Sequence, residues 1–300
     1  MLNKWRGIYP AMVTPFNEDE SIDKKSLVNL VNFLEEGGVR GIYALGTTGE
    51  FPHLTSQERY DVIEIVSKTS KNMNVIANIG DITTKKTIEN AKLLEKIDGV
   101  DAVAVVSPYY YILNQEQITE HHLKVGKNIN FPFFLYYIPQ MTKLPISMKS
   151  LEKIASLPNF VGLKDSSHDI SWYGEAKDII EGKVYLTGSD ALIYHFLNAG
   201  SSGAVAATAC ASPKLLSDLM KAYDSGDIKK AIELQKIVCS LRKLIKMFPS
   251  LSGFKALLEY QGICKRYMRS PLTSVTDKQM EEIDEYLSKD TDLAAYVRRN

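Results

Sequence analysis

Short runs of apolar residues alternate along the chain with longer segments in which apolar residues recur every three or four positions. The runs are rich in β-branched and aromatic side chains, which is typical of buried strands, and the longer segments have the period of helices. The predicted strands cover residues 8–13, 41–45, 75–78, 102–106, 132–136, 160–163, 184–187 and 204–207.

Each predicted strand is followed by a predicted helix, and several helices carry start signals. Thr55 with Glu58 three residues later forms a capping box, and Asn114 and Ser147 stand at N-cap positions. Strands joined by helices must be parallel, and eight such units favour a closed (β/α)8 barrel, the TIM barrel, over an open sheet. Residues 14–16, after the first strand, also lack the glycine-rich phosphate loop of an open doubly wound sheet.

From residue 227 onward the pattern has helical period alone, with Leu, Ile and Met at helical spacing. We predict a barrel over residues 1–226 and a C-terminal helical segment, packed on the barrel, over residues 227–300. The 300 residues are 45% hydrophobic, which suffices for one large core or two medium ones. Formal net charge is zero, so no basic face indicates nucleic-acid binding.

Neither the ends nor the cysteines indicate export. Residues 1–7 are too short and polar for a signal peptide, and no apolar run approaches a membrane span. Cys210, Cys239 and Cys264 have no CxxC spacing, which indicates reduced thiols rather than a disulfide framework or a zinc site. We therefore expect a cytoplasmic protein.

A lysine, Lys164, directly follows the sixth predicted strand. A lysine at the end of an apolar run is most often a surface residue. Alternatively, the amine is held in a pocket, where desolvation lowers its pKa and prepares it to form a Schiff base with a carbonyl substrate. The strand alone is compatible with both interpretations.

The carboxyl ends of the other predicted strands carry phenols, hydroxyl groups and glycines. In a (β/α)8 barrel the catalytic groups come from these ends. They include residues 46–50 (GTTGE), 107–111 (SPYYY), 136–139 (YYIP) and 187–190 (TGSD). The set contains no histidine and no paired carboxylates, so it predicts no metal site and argues against a metal hydrolase or a glycosidase.

A lysine, a phenol and glycine-flanked hydroxyls together fit carbonyl chemistry without a cofactor. The lysine attacks a ketone, and the phenol moves a proton as the carbinolamine becomes an imine. Backbone N–H groups and hydroxyls hold a carboxylate. Each motif alone is also compatible with a tight turn, packing aromatics or barrel core, and their joint placement at successive strand ends is what favours catalysis.

Four motifs occur in order: residues 46–50, 108–110 (PYY), 135–139 (LYYIP) and 162–167 (GLKDSS). Together they resemble the signatures of the dihydrodipicolinate synthase / N-acetylneuraminate lyase family of class I pyruvate aldolases. The resemblance covers nearly the whole chain, including the C-terminal helices. It implies a homotetramer built as a dimer of dimers.

The resemblance also implies roles for individual residues. Lys164 resembles the Schiff-base lysine that binds pyruvate, and Tyr136 resembles the phenol that relays protons beside it. Thr47 looks like the hydroxyl that links this phenol to Tyr110, which in some members reaches across from a neighbouring subunit. Thr48, with the backbone amide of Thr47, looks like the clamp on the pyruvate carboxylate.

Further substrate contacts are expected around this centre. Val205 matches a position whose backbone carbonyl faces the site. The expected contacts to the remainder of the substrate are Ser166, Gly188, Asp190 and Thr208.

Several positions depart from the family's known substrate patterns. Met141 stands where dihydrodipicolinate synthases carry an arginine for the carboxylate of aspartate semialdehyde, although Lys143 is near. Sialic acid lyases have Asp-Glu after strand seven, where Asp190 is followed here by alanine, and their serine near the end of strand eight matches Ala207. The polyol contacts of those lyases are therefore half present.

Residues 49–51 and 108–114 are similar to 2-keto-3-deoxygluconate aldolases. We predict an enzyme that cleaves or forms a 2-keto-3-deoxy sugar acid, with pyruvate and a small hydroxyaldehyde as the other side. The alternatives are 4-hydroxy-tetrahydrodipicolinate synthase, N-acetylneuraminate lyase, and a regulator that binds a keto acid without turnover.

Overall fold

The computed structural model describes residues 2–298, in which strands and helices alternate. The strands are β1 (Gly7–Pro10), β2 (Gly41–Ala44), β3 (Asn74–Asn78), β4 (Ala102–Val106), β5 (Phe133–Tyr137), β6 (Phe160–Asp165), β7 (Val184–Thr187) and β8 (Gly203–Ala206). The helices up to the end of the barrel are α1 (Leu2–Trp5), α2 (Lys24–Glu36), α3 (Ser56–Thr69), α4 (Thr84–Leu94), α5 (Gln115–Lys127), α6 (Pro139–Thr142), α7 (Met148–Ala155), α8 (Ile170–Ile179), α9 (Ile193–Asn198), α10 (Thr208–Ala211) and α11 (Pro213–Asp224).

These eight strands form one parallel sheet in the order β1-β8-β7-β6-β5-β4-β3-β2. Contacts between β1 and β2 close the sheet: the Arg40 N–H donates to the Ile8 carbonyl at 2.9 Å, and the Met12 N–H donates to the Tyr43 carbonyl at 3.0 Å. All strand residues except Asn74 are buried, as expected for a parallel sheet covered by helices. The predicted (β/α)8 barrel is confirmed.

The sixth strand is longer than its apolar run predicts, since it extends to Asp165. Lys164 and Asp165 still pair with Tyr136 and Tyr137 of β5. This pairing uses backbone N–H and C=O groups, so a charged side chain does not prevent it. Lys164 therefore lies at the carboxyl end of β6, beside Tyr136, as expected.

The predicted helix starts agree with the structure. Thr55 and Glu58 form a reciprocal capping box, and the side chains of Asn114 and Ser147 accept N–H groups of the first turns of α5 and α7. The first-turn donors, which have no partner inside the helix, are thereby satisfied.

Beyond the barrel the chain forms α12 (Ile228–Lys246), α13 (Ser252–Tyr260), α14 (Asp277–Lys289) and the single turn α15 (Thr291–Ala294). This segment contacts the barrel directly. The Gln235 side chain of α12 donates to the Asp190 carbonyl at 3.0 Å, and the side chain of Gln261, the residue after α13, donates to the Ala211 carbonyl of α10 at 2.9 Å. The boundary between residues 226 and 227 stays a prediction, and residues 1, 299 and 300 lie outside the described residues. Among residues 2–298 there is no helix with the length and hydrophobicity needed to cross a membrane.

The close approach of β6 and β7 depends on a glycine. A Cβ on Gly162 would lie 1.9 Å from the Val184 carbonyl oxygen, whereas a Cβ on Gly174, inside α8, would meet nothing within 4 Å. We expect Gly162→Ala to lower the free energy of unfolding by about 1–3 kcal/mol. The matched Gly174→Ala variant should raise it by about 0.5–1 kcal/mol. Urea unfolding measures both, and equal midpoints would contradict this strand packing.

Candidate functional site

The amine of Lys164 lies inside the mouth of the barrel, between two aromatic rings. Lys164 is only 3% exposed, so the interpretation of Lys164 as a surface residue is wrong. Nζ lies 3.7 Å from the ring centroid of Tyr43 and 3.7 Å from that of Tyr136. Nζ makes no hydrogen bond or ion pair with any of the described residues 2–298.

This environment favours the neutral amine. Burial lowers the pKa of Lys164 well below its usual value, and the Asp190 carboxylate opposes that shift. The two ring faces also favour the ammonium, by about 0.5–2 kcal/mol each. Leaving an unpaired ammonium buried costs several kcal/mol, so desolvation decides the balance. A neutral buried amine is the form that attacks a carbonyl carbon.

A phenol lies next to the amine. Tyr136 is the register partner of Lys164 in the neighbouring strand. A hydrogen bond of 3.1 Å joins its hydroxyl to Thr47 Oγ1. Burial raises the pKa of Tyr136 to about 12, while the hydroxyls of Thr47 and Ser166 act in the opposite direction. Tyr136 is therefore a protonated phenol at neutral pH, with a partner that can pass or accept a proton.

The turn after β2 brings Thr47 and Thr48 to the same place. The Gly49 N–H donates to the Gly46 carbonyl at 3.1 Å, and the Glu50 N–H donates to the Thr47 carbonyl at 3.0 Å. A Cβ on Gly46 would lie 3.9 Å from Lys164 Nζ, so the turn approaches the amine by its backbone. Thr48 is buried in this turn.

The loops after β6 and β7 supply further polar groups. Gly188 makes room for Ser166, since a Cβ on Gly188 would lie 2.1 Å from the Ser166 hydroxyl oxygen. The buried Asp190 carboxylate accepts the backbone N–H groups of Ala207 at 3.2 Å and Thr208 at 2.9 Å. Burial raises the pKa of Asp190, and these two N–H groups oppose the shift.

Of two further residues expected at the site, one is buried in the barrel wall and the other is exposed. Val205 is buried in β8, in the barrel wall. Tyr110 has an 85% exposed side chain whose ring contacts Tyr111, and it has a positive φ of 86°. Within this single chain Tyr110 does not reach Thr47, so its link to the phenol stays a prediction.

Nearly the whole chain is similar to the proteins of one known family. The profile of the dihydrodipicolinate synthetase family matches residues 4–290. The chain belongs to this family. It is a class I pyruvate aldolase, an enzyme of the lyase class.

Individual relatives with different names are similarly close to the chain. The 4-hydroxy-tetrahydrodipicolinate synthase of Bartonella bacilliformis is 34% identical over 283 residues, 93% of this chain and 96% of the relative. Dihydrodipicolinate synthase from Aquifex aeolicus superposes with a TM-score of 0.90 at 28% identity, covering 98% of this chain and 100% of that one. N-acetylneuraminate lyase from Mycoplasma synoviae superposes with a TM-score of 0.87 at 26% sequence identity, covering 99% of each chain. Backbone similarity therefore does not separate the substrates within the family.

Sequence reasoning missed two features of this family member's site. Tyr43 forms one wall of the amine pocket, and its buried hydroxyl has no hydrogen-bond partner among residues 2–298. A phenol in the middle of an otherwise aliphatic strand was the available signal. Glu50, at the end of the Thr47 turn, forms a buried ion pair of 2.7 Å with Lys255 of α13, and no local pattern links these two residues.

Burial of Lys164 has a consequence for stability. Because its folded-state pKa lies below the usual 10.5, the unfolded chain binds more protons between those two values, and stability rises with pH across that window. We expect Lys164→Met to raise the free energy of unfolding by about 1 kcal/mol or more at pH 7, with the gain shrinking as pH approaches 10. Urea unfolding at several pH values measures this gain.

The exposed Lys177 of α8 supplies the control. Lys177→Met should change stability by less than about 0.5 kcal/mol at every pH. A Lys164→Met variant that behaves in the same way would mean that the amine is not desolvated.

Proposed function

We propose that the chain catalyses reversible aldol cleavage of a 2-keto-3-deoxy sugar acid to pyruvate and a small hydroxyaldehyde. The observation that supports the aldol chemistry most strongly is the unpaired, buried amine of Lys164, 3.7 Å from the Tyr136 ring centre. Neither a binding module nor a regulator needs such an amine together with a phenol hydrogen-bonded to Thr47.

In this proposal Lys164 adds to the keto carbon, and the carbinolamine loses water to give an imine. The imine draws electrons from the adjacent methyl carbon, which loses a proton and becomes an enamine. The enamine carbon forms the bond to the aldehyde carbon, and the aldehyde oxygen takes up a proton. Tyr136 carries these protons with Thr47 as its partner, and water finally hydrolyses the imine and frees the lysine.

The carboxylate of pyruvate would lie against the turn after β2. Thr48 and the backbone amide of Thr47 are the donors in this assignment, because glycine-flanked turns present N–H groups to anions. The backbone carbonyl of Val205 would face the bound keto acid from β8. No metal or other cofactor takes part in this scheme.

The aldehyde side of the site supports a polyhydroxy substrate. The backbone of Thr208 donates to Asp190, and Gly188 packs against Ser166. In this proposal the four residues contact the hydroxyl-bearing part of the substrate. The Asp190 carboxylate can accept about four hydrogen bonds, and two of these come from backbone N–H groups. Its remaining lone pairs could accept hydrogen bonds from sugar hydroxyls.

The loop after β5 offers little to a second carboxylate. Met141, in α6, is 60% exposed and carries a thioether, which cannot form the bidentate pair that an arginine forms with a carboxylate. This position favours a hydroxyaldehyde over aspartate semialdehyde.

The proposed enzyme would work as a homotetramer. Tyr110, Tyr111 and Ile112 are 85%, 70% and 73% exposed in the single chain. An apolar run of this kind is typical of a subunit contact. In some family members the tyrosine that Tyr110 resembles reaches across from a neighbouring subunit, and we assign Tyr110 the same role.

The second candidate is 4-hydroxy-tetrahydrodipicolinate synthase, the activity for which the Bartonella bacilliformis relative, 34% identical to the chain, is named. In that case the aldehyde would be aspartate semialdehyde. Because Met141 stands where dihydrodipicolinate synthases carry an arginine, Lys143 or another cation would have to bind the carboxylate of this aldehyde. N-acetylneuraminate lyase is less favoured, since alanine follows Asp190 and Ala207 replaces a serine in the resemblance.

Borohydride reduction tests the imine. Incubation with pyruvate followed by sodium borohydride should add one reduced pyruvyl group to the Lys164 peptide, measured by mass spectrometry. Lys164→Arg should give no adduct, because a guanidinium is not deprotonated in proteins. Tyr136→Phe is the matched control: it keeps the amine and the adduct but should turn over about 10²-fold more slowly. An unmodified Lys164 in the wild-type protein would exclude the proposed mechanism.

A substrate panel tests the aldehyde. With pyruvate as donor, kcat/KM for glyceraldehyde should exceed that for aspartate semialdehyde by about tenfold or more. Met141→Arg should shift this ratio toward aspartate semialdehyde by roughly tenfold or more, since a hydrogen bond to a charged group contributes about 1.5–3 kcal/mol. Met141→Gln, which adds polarity without charge, should leave the ratio nearly unchanged. A wild-type preference for aspartate semialdehyde would replace the proposal by the second candidate.

A further inference from the structure

We propose that Glu50 is a positioning residue, through which the C-terminal helix α13 holds the Thr47–Thr48 turn against the pyruvate carboxylate. This inference rests on the proposed role of that turn. Glu50 is the residue at which the turn ends, and Lys255 lies 205 positions later in the chain.

The ion pair between the two residues is fully buried. Lys255 Nζ lies 2.7 Å from Glu50 Oε1, and the two side chains are 1% and 0% exposed. Lys255 also donates to the Tyr267 carbonyl at 2.8 Å, and Nζ lies 4.0 Å from the ring centre of Phe16. Burial lowers the pKa of Lys255, and the Glu50 carboxylate opposes that shift and favours the ammonium.

The second oxygen of the Glu50 carboxylate is held by the segment after α13. Oε2 accepts the Arg269 backbone N–H at 3.3 Å, and the His53 ring lies 3.7 Å from it. Because the side chain is 0% exposed and both carboxylate oxygens have partners, the carboxylate is not available as a proton donor or a substrate ligand. Its role has to be exerted through the backbone that carries it.

That backbone has an unfavourable conformation. Glu50 has φ 55°, in the left-handed region, where a residue other than glycine is strained. The preceding residue is fixed from the other side, since the Thr14 hydroxyl donates to the Gly49 carbonyl at 2.7 Å. The turn therefore depends on side-chain contacts at its end, and a release of Glu50 would let Thr47 move away from Tyr136.

Stability alone does not account for this arrangement. Taking two charges out of water costs several kcal/mol for each ion, and well-packed apolar residues often replace a buried pair with no loss of stability. A hydrogen-bonded ion pair is directional, whereas apolar packing is not, because its hydrogen bonds fix both the distance and the orientation of the carboxylate. Directional control is useful where the adjoining backbone has to bind a small anion.

The test compares Glu50→Gln with a matched control, Glu58→Gln. Glu58 lies on α3 and binds the Arg269 side chain at 2.7 Å, so it ties the same C-terminal segment to the barrel without contacting the Glu50 carboxylate. Gln preserves the shape of both residues, and at position 58 it preserves the capping box. Steady-state kinetics, the rate of borohydride-trapped adduct formation and the unfolding midpoint are measured for each.

We expect Glu50→Gln to raise KM for pyruvate by about tenfold and to slow adduct formation at low pyruvate, with a smaller change of kcat at saturation. Glu58→Gln should leave KM for pyruvate within about twofold of wild type. If KM for pyruvate is as unaffected in Glu50→Gln as in Glu58→Gln, while the wild type still forms the Lys164 adduct, the positioning role is overturned and the proposed function stands.

A double variant separates positioning from stability. Glu50→Met combined with Lys255→Met replaces the pair by apolar chains of similar length and should restore the unfolding midpoint more than it restores KM. Recovery of both would show that the ion pair acts through stability alone and would overturn the proposal. A wild-type protein without a Lys164 adduct would instead remove the proposed function on which this inference rests.

Discussion

Desolvation of one lysine amine is the constraint on which the rest of the site depends. Lys164 is useful because no counter-ion lies within bonding distance among residues 2–298 and two aromatic rings cover the amine. A closed parallel barrel supplies such a place, since every strand is flanked by two others and its carboxyl end opens into loops. Burial of almost all strand residues stabilises the fold and offsets the unfavourable free energy of burying this amine.

The fold could be predicted because its signals are local. Apolar runs, helix period and caps such as Thr55 and Asn114 are each defined within about ten residues, and the structure agrees with them to within a few positions. Lys164 and Tyr136 could also be predicted as a pair, because both stand at strand ends and parallel strands in a barrel bring those ends together. The burial of Lys164 could not, since an apolar run that ends in lysine is compatible with exposure.

The missed features depend on contacts between distant parts of the chain. Tyr43 is ordinary in its own strand and acquires its place beside the amine only when β2 and β6 face each other across the barrel. Glu50 and Lys255 are 205 residues apart, and each alone resembles a surface charge. Tyr110, exposed in the single chain, depends on a partner subunit for its predicted role.

Two buried lysines of the same chain are treated in opposite ways. Lys164 has aromatic faces and a carboxylate, Asp190, that does not bond to it, so desolvation favours the neutral amine. Lys255 has Glu50 at 2.7 Å and a carbonyl oxygen at 2.8 Å, so its ammonium is compensated. The difference lies in the partners rather than in the depth of burial. An unpaired amine is reactive, and a paired one is a directional link, which is why the second can hold the turn beside the first.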